Sequence, residues 1–240
     1  MPKPNPRGHF PTTRWSVVLQ AAKADEGPRR ALHELCSDYW VPLFAYLRRT
    51  GMSTDDAEDT VQGFVSTLLD GPAIAGVDPQ RGRFRSYLLG ALRNYLGRMR
   101  TRAHAAKRGG GARLVSLSPD PDTERELEIP DDRTPEEAYA YAWAMALLRR
   151  TEGRVADEYA NKGKRALFDV LRPTLMSDDP PPYRELGAEV GLSEGAARVA
   201  AHRMRTRFRA LLREEVSQTV ASSTDIDDEL RSVIAAVSGG

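Results

Sequence analysis

The stretch RFRSYLLGALRNYLGRMRTR, residues 83–102, holds six arginines and no acidic residue, in a chain whose formal net charge is only +1. Apolar residues with helical spacing predict one buried stripe along it: Tyr87, Leu88, Ala91, Leu92, Tyr95, Leu96 and Met99. The other face would present Arg85, Arg93, Asn94 and Arg98. A helix that packs on one side and carries guanidinium groups on the other suits an anionic partner. The alternative is an ordinary solvated basic face.

Length and composition limit the kinds of protein to consider. A chain of 240 residues with 40% hydrophobic content can form one large or two small domains. The first twenty residues contain no apolar run of signal-peptide or membrane length, so we expect a soluble, cytoplasmic protein without a membrane partner. The single cysteine, Cys36, cannot form an internal disulfide, and its apolar neighbours favour a buried helix position over a nucleophile.

Charge is strongly segregated along the chain. Residues 79–119 carry ten Lys/Arg and no acid, residues 120–140 carry nine Asp/Glu, and residues 183–213 carry seven arginines against three glutamates. The acidic block is rich in Pro, Asp and Ser and poor in large apolar residues, which is typical of a flexible linker. We therefore expect a domain at 12–108, a flexible acidic linker at 109–134, a second domain at 135–217 and a C-terminal extension at 218–240.

Helical patterns fill both expected domains and strand patterns are nearly absent, so the sequence predicts an all-α protein. The segment STDDAEDTVQGFVSTLLD starts with a capping residue, Ser53 or Thr54, followed by acids that suit a helix N-terminus. Val61, Phe64, Val65 and Leu68 would form its buried stripe. The stretch from EEAYAY to RPTLM predicts two or three further helices.

The most specific local pattern is YRELGAEVGLSEGAARVAAHRMRTRFRALL, which begins at Tyr183. It predicts a short helix, a sharp turn at Gly191 and a second helix capped by Ser193, which together are typical of a helix-turn-helix. The outward face of the second helix would carry Glu194, Arg198, His202, Arg205 and Arg209. Long side chains in that position suit major-groove base edges and phosphates, although a helical hairpin with a basic face fits the same pattern.

In order and spacing, these segments resemble the extracytoplasmic-function sigma factors of bacterial RNA polymerase. The resemblance rests on TRWSVVL, YWVPLFAYLRRTG, DDAEDTVQGF, DPQRGRFRSYLLGALRNYL, KRGGG and LSEGAARVAAHRMRTRFRALLREE, and covers nearly the whole chain. It implies a transcription-initiation factor without enzymatic activity or cofactor, monomeric when free, whose partners are core RNA polymerase and promoter DNA. An anti-sigma factor or a Ser/Thr kinase would be a regulatory partner.

The resemblance assigns roles to particular residues. Contact with the coiled coil of the polymerase clamp would fall to Asp56, Glu58, Asp59 and Gln62. Contact with the separated strand of the minus-10 element would fall to Arg83, Arg85, Arg93, Asn94 and Arg98. Contact with the minus-35 duplex would fall to Arg198, His202, Arg203 and Arg205. The same acids are also ordinary residues for a helix N-terminus, and the rings of Phe84, Tyr87 and Tyr95 favour the core.

A Mg²⁺ nuclease and a stand-alone helix-turn-helix regulator are the alternatives to a sigma factor. A Mg²⁺ nuclease would need further acids or histidines, because neighbouring carboxylates on a helix diverge and the histidines lack metal-ligand spacing. A stand-alone helix-turn-helix regulator is the stronger alternative, since it would use the second domain without polymerase.

Two regulatory hypotheses also arise. Thr60 follows the acidic cluster, where a phosphate group would add negative charge to the expected polymerase surface. The tail SSTDIDDELRSVIAAVSGG predicts a helix capped by Thr224, with a stripe of Leu230, Val233, Ile234 and Val237. That helix would either complete the second domain or rest on one of the protein's own DNA-facing surfaces and restrain the free factor.

Overall fold

The computed structural model describes residues 38–70, 83–105, 132–177, 179–220 and 222–238. These residues form nine α-helices and one short 3₁₀ turn and contain no strand, which confirms the expected all-α class. The helices are α1 Trp40–Arg49, α2 Thr54–Asp70, α3 Phe84–Ala105, α4 Pro135–Asn161, α5 Arg165–Leu171, α6 Pro173–Met176, α7 Tyr183–Glu189, α8 Glu194–Ser217 and α9 Ile226–Ser238. The predictions for TRWSVVL, Cys36, KRGGG and almost all of the acidic linker lie outside the described residues.

Contacts between residues divide the chain into two compact units. Unit 1 comprises Met1–Ala144 together with Ser217–Gly240, and unit 2 comprises Met145–Val216. The division lies within α4, and the C-terminal extension belongs to unit 1. The tail helix therefore does not complete the second domain, as one of the two hypotheses for it had supposed. None of the helices in the described part of the chain is long and apolar enough to cross a membrane.

The core of unit 1 is formed by α1, α2 and α3. Fully or almost fully buried side chains from each helix meet there: Leu43, Leu47, Val61, Phe64, Phe84, Leu88 and Leu92. The rings of Phe64 and Tyr95 lie 5.7 Å apart at an angle of 60°. Gly63 permits this close approach, because a Cβ there would lie 2.5 Å from the Tyr95 hydroxyl oxygen. The expectation that Val61 and Phe64 belong to the core is confirmed.

The buried stripe of α3 is narrower than the sequence predicted. Phe84, Leu88, Leu92 and Leu96 are buried, four residues apart, whereas Tyr87, Ala91 and Tyr95 are only partly covered. The prediction for Met99 is wrong, since 41% of this residue is exposed. Strict i, i+4 spacing drifts around a helix of 3.6 residues per turn, so the end of α3 turns away from the core.

Unit 2 contains a separate core built from α4, α5, α7 and α8. Its buried residues are Val155, Ala156, Phe168, Leu171, Leu186, Ala201, Met204, Phe208 and Leu211. The turn between α7 and α8 depends on Gly191, whose φ of +68° lies in the left-handed region that disfavours other residues. The Leu192 N–H donates to the Gly187 carbonyl at 2.8 Å and closes this turn.

Helix α4 starts with a reciprocal cap. The Thr134 N–H donates to the Glu137 carboxylate at 2.8 Å, and the Glu137 N–H donates to the Thr134 hydroxyl at 3.3 Å. The Thr134 hydroxyl also donates to Glu137 at 2.7 Å. The backbone N–H and then the hydroxyl of Thr134 lower the pKa of Glu137 from its ordinary value. Satisfying otherwise unpaired N–H groups in this way fixes where the helix begins.

Replacing the cap residue, Thr134→Ala, is expected to lower the free energy of unfolding by about 1 kcal/mol. Because the Glu137 pKa is lowered in the folded chain, the part of the cap that the Glu137 carboxylate supplies is present above the ordinary pKa of 4.5 and is lost as the pH falls through the lowered value. Urea unfolding at neutral and acid pH measures both effects. Thr101→Ala, which removes an exposed hydroxyl within α3, serves as the control and should cost less than Thr134→Ala.

Candidate nucleic-acid interface

A cavity of about 370 Å³ lies beside the basic face of α3. It is lined by Phe64, Thr67, Leu68, Ser86, Tyr87, Gly90, Ala91, Asn94 and Arg98. The lining residues of α2 are Phe64, Thr67 and Leu68, and the remaining ones come from α3. The exposed Asn94 amide can both donate and accept hydrogen bonds, and the partly buried Tyr87 ring offers an aromatic edge. This concavity combines an aromatic ring, a hydrogen-bonding amide and a cation within a few turns of one helix.

Arg93 lies next to this cavity on the same helix, with its side chain 48% exposed. Its guanidinium donates to the Tyr46 hydroxyl at 3.3 Å and forms an ion pair with Glu136. The hydrogen bond with Tyr46 raises the pKa of Arg93 most, burial opposes it, and the pair with Glu136 raises it further. Arg93 thus remains cationic and is held in a defined direction, as a residue that contacts phosphate requires.

Arg83 and Arg85 are not presented to solvent in the way the sequence predicted. The Arg85 side chain is 14% exposed and donates to the Glu229 carboxylate of α9, while the Arg83 side chain is 31% exposed and pairs with the same carboxylate. The expectation that Arg85 belongs to an open basic face is therefore wrong. Arg93, Asn94 and Arg98 are exposed on α3, as expected.

The acidic start of α2 forms a second surface of unit 1. Ser53 caps the helix, since its hydroxyl accepts the Asp56 N–H at 3.1 Å. Asp56 and Asp59 are exposed and Glu58 and Gln62 are partly exposed. The opposite side of the helix, with Ala57 and Val61, is buried in the core. Four polar side chains are thus gathered on one solvent-facing patch.

Thr60 does not belong to that patch. Only 6% of this residue is exposed, and its hydroxyl lies 3.9 Å from the sulfur of Met52. A kinase could not reach a hydroxyl in this position without opening the helix pair, so the folded chain offers no support for phosphorylation at Thr60.

The helix pair α7 and α8 carries the third group of predicted residues. Arg198, His202 and Arg203 are exposed on α8, and Arg205 is partly buried. Tyr183 organises two of these cations, because its hydroxyl accepts from Arg205 at 2.9 Å and its ring lies 5.6 Å from the Arg198 guanidinium. The sequence analysis missed this role of Tyr183, although an aromatic residue at the start of a short helix could have indicated it.

A groove of about 660 Å³ in unit 2 was also missed. It is lined by Glu158, Tyr159, Lys162, Lys164, Leu167, Leu192, Gly195, Ala196, Val199, Ala200, Arg203 and Arg207. Arg207 donates to Glu158 at 2.9 Å, and this bond lowers the pKa of Glu158 and raises that of Arg207. Val199 was the available signal in the sequence, since it is an apolar residue outside the stripe of Ala197, Ala201 and Met204, and the structure leaves it 51% exposed. Arg203 borders this groove as well as the exposed face of α8.

Among the described residues, no group of three or more His, Cys, Asp or Glu side chains is placed to hold a metal ion. Comparison of the chain with protein-family models, with curated proteins and with solved structures found no match.

Proposed function

We propose that this chain is a sigma factor of the extracytoplasmic-function type. It binds core RNA polymerase, recognises minus-35 and minus-10 promoter elements and promotes DNA opening. The observation that carries the proposal is the cavity beside α3, where Asn94, Arg98 and Tyr87 surround a space of about 370 Å³ on a basic helix. A protein that only binds duplex DNA would leave this concavity without an assigned role.

Opened DNA has three needs that this surface meets. An extruded base requires a pocket and an aromatic neighbour, its edge requires a hydrogen-bonding group, and the strand requires cations along its backbone. The cavity, the Asn94 amide and the exposed guanidinium groups of Arg93 and Arg98 supply these in that order. Stacking on an aromatic platform contributes about 1–3 kcal/mol per base, which is enough to favour strand separation at one step.

The acidic patch on α2 supports the polymerase half of the proposal. Asp56, Glu58 and Asp59 present carboxylates on one side of a helix whose other side is fixed in the core. Such a patch fits an arginine-bearing helical partner through charge-assisted hydrogen bonds, which give orientation and a fast association rate. The clamp coiled coil of RNA polymerase is the partner that we assign to it.

Unit 2 would read the minus-35 duplex through a helix-turn-helix formed by α7 and α8. Arg198 lies in the first turns of α8, where a recognition helix contacts base edges, and His202 and Arg203 follow one turn later. The alternative function, a stand-alone helix-turn-helix regulator, rests on the same helices. It gives no role to the α2 patch or to the cavity beside α3.

The deciding experiment combines the purified chain with bacterial core RNA polymerase and genomic DNA of its own host, followed by sequencing of the transcripts. Transcripts that start downstream of one shared pair of elements are expected only when the chain is present. A chain that leaves initiation unchanged and binds duplex DNA alone would establish the stand-alone regulator instead.

Arg198→Ala is expected to weaken binding to one base position of the minus-35 element by about 1–3 kcal/mol, the range for a bidentate contact. Arg213→Ala, on the same helix but at its far end, is the matched control and should lower affinity equally for all sequences. Competition between duplexes with single base changes measures the difference. A uniform loss of affinity for Arg198→Ala would reduce its role to phosphate contact.

A further inference from the structure

Glu229 is a fully buried carboxylate on the C-terminal helix of unit 1. Its side chain is 0% exposed. Its two carboxylate oxygens accept hydrogen bonds from Arg85 of α3 and from Arg83, which lies just before that helix. The Arg85 Nε lies 2.7 Å from Oε1, the Arg85 Nη2 lies 3.0 Å from Oε2, and the Arg83 Nε lies 2.8 Å from Oε2. One turn further along α9, the Ser232 hydroxyl accepts from Arg83 at 3.0 Å.

This carboxylate interrupts an otherwise apolar packing face. Ile226 and Val233 are buried on either side of Glu229. Burying a charge costs several kcal/mol before its partners compensate, and an apolar residue of similar size commonly packs at least as well. A helix that served only to cover the core would not need a glutamate here. The buried charge therefore points to a role for the two arginines beyond stabilising α9.

The two arginines form a built anion site. Arg85 is held from three sides, because its guanidinium lies 4.6 Å from the Trp143 ring and its carbonyl accepts from the buried Tyr139 hydroxyl at 2.9 Å. Forked guanidinium groups bind carboxylates and phosphate diesters with the same bidentate geometry. The place that Glu229 occupies is thus equally suited to a backbone phosphate of DNA.

We propose that α9 is a releasable strap, in which Glu229 takes the place of a DNA phosphate and holds Arg83 and Arg85 away from the separated strand. This inference rests on the proposed function, because the resemblance to the sigma factors places both arginines on the minus-10 surface. The C-terminal end of the strap is also held by a hydrogen bond, because Arg133 donates to the Ala236 carbonyl at 2.6 Å. In the free factor the strap is closed, and single-stranded DNA must displace it before the full basic surface is available.

The test measures binding of the full chain, without polymerase, to a fluorescent single-stranded oligonucleotide of A and T by anisotropy. Glu229→Gln is expected to tighten binding about tenfold, because the loss of one charge-assisted pair frees the two arginines. Asp228→Asn makes the same change in net charge on an exposed side chain of α9 and is the matched control. Ser232→Ala leaves Glu229 in place and removes the Arg83 contact together with one exposed hydroxyl bond to the Asp228 carbonyl, so it should give a smaller gain.

A double-mutant cycle identifies the residues responsible. The gain from Glu229→Gln should disappear in a chain that already carries Arg83→Gln and Arg85→Gln. The strap is contradicted if neither Glu229→Gln nor Ser232→Ala binds the oligonucleotide more tightly than Asp228→Asn does. It is also contradicted if these variants lower the melting temperature without tightening binding. Arg98→Gln separates the two proposals. If it weakens binding while Glu229→Gln has no effect, the strap alone is wrong; if neither variant changes binding, the minus-10 surface is wrong as well.

Discussion

Reversing Glu58 and Asp59 to lysine is expected to abolish association with core RNA polymerase while the chain stays folded. Truncating one partner of a desolvated charge pair at an interface costs about 2–5 kcal/mol, and reversal adds repulsion to that loss. Two reversals are therefore expected to weaken the affinity for core polymerase by more than about a hundredfold. Co-purification of the double variant with core polymerase, followed by a titration of the complex, measures the effect.

The fold should tolerate the change because neither side chain packs in the core. Asp59 is exposed and Glu58 partly exposed, while the buried side of α2 is supplied by Ala57, Val61 and Phe64. Cations near a helix N-terminus cost about 0.3–1 kcal/mol each, which lowers the melting temperature by a few degrees only. The matched control, Asp169→Lys with Glu185→Lys, makes the same charge change on exposed acids of unit 2. If the control loses as much affinity for core polymerase, the effect is due to net charge, and the α2 patch is not the polymerase-binding surface.

Local patterns in the sequence were enough to predict the helices and much of the α2 and α3 faces. Apolar spacing placed Val61 and Phe64 in the core, and acids after Ser53 marked the start of α2. Gly191 marked the turn before α8. Each of these features depends on residues within one or two turns of one another, where spacing determines which face of a helix is covered.

The environment of Arg85 could not be predicted in the same way. Its partner Glu229 is 144 positions away in the chain, and only the folded unit brings the two together. The prediction that the tail forms a helix is confirmed by α9, and Val233 of the predicted stripe is buried. Glu229 was missed because hydrophobicity assigns a glutamate to solvent. The predicted stripe included Ile234, which is 63% exposed, and omitted Ile226 and Glu229, which are buried. The expected cap, Thr224, lies inside the 3₁₀ turn Ser223–Asp225 that precedes α9. The Ser222 hydroxyl accepts the Thr224 N–H.

The groove of unit 2 illustrates a second feature that could not be predicted from the sequence. Its lining comes from α4, α5 and α8 and from the segments between them. A concavity of this kind depends on how helices cross, and crossing angles are not encoded in the spacing of any single helix. The same reasoning applies to the cavity beside α3, for which the sequence supplied Asn94 and Arg98 but not the space between them and α2.

Filling that space with Gly90→Leu is expected to block promoter opening and, at the same time, to stabilise the chain. Outside the helix's own backbone, no heavy atom lies within 4 Å of the position that a Cβ would take at Gly90, and the rest of a leucine side chain can extend into the cavity of about 370 Å³ that Gly90 lines. Glycine within a helix costs about 0.5–1 kcal/mol relative to a good helix former, and that amount should be recovered. Because Gly90 lines the cavity, the new side chain occupies the place of an extruded base.

Permanganate reactivity of unpaired thymines, measured with core polymerase on a promoter identified by transcript sequencing, reports opening directly. Losing the base pocket should reduce opening by about 1–3 kcal/mol, which is about 5-fold to 150-fold, with capture of the closed duplex unchanged. Asn94→Ala should reproduce the defect while leaving the space of the cavity open. Gly97→Leu makes the same helix-favouring change on α3 outside the cavity, where a Cβ is equally free of neighbours, and should raise the melting temperature while opening stays normal. Normal opening with Gly90→Leu would show that the cavity holds no base, because a merely structural role for this position predicts gain or loss of stability and no selective defect in strand separation.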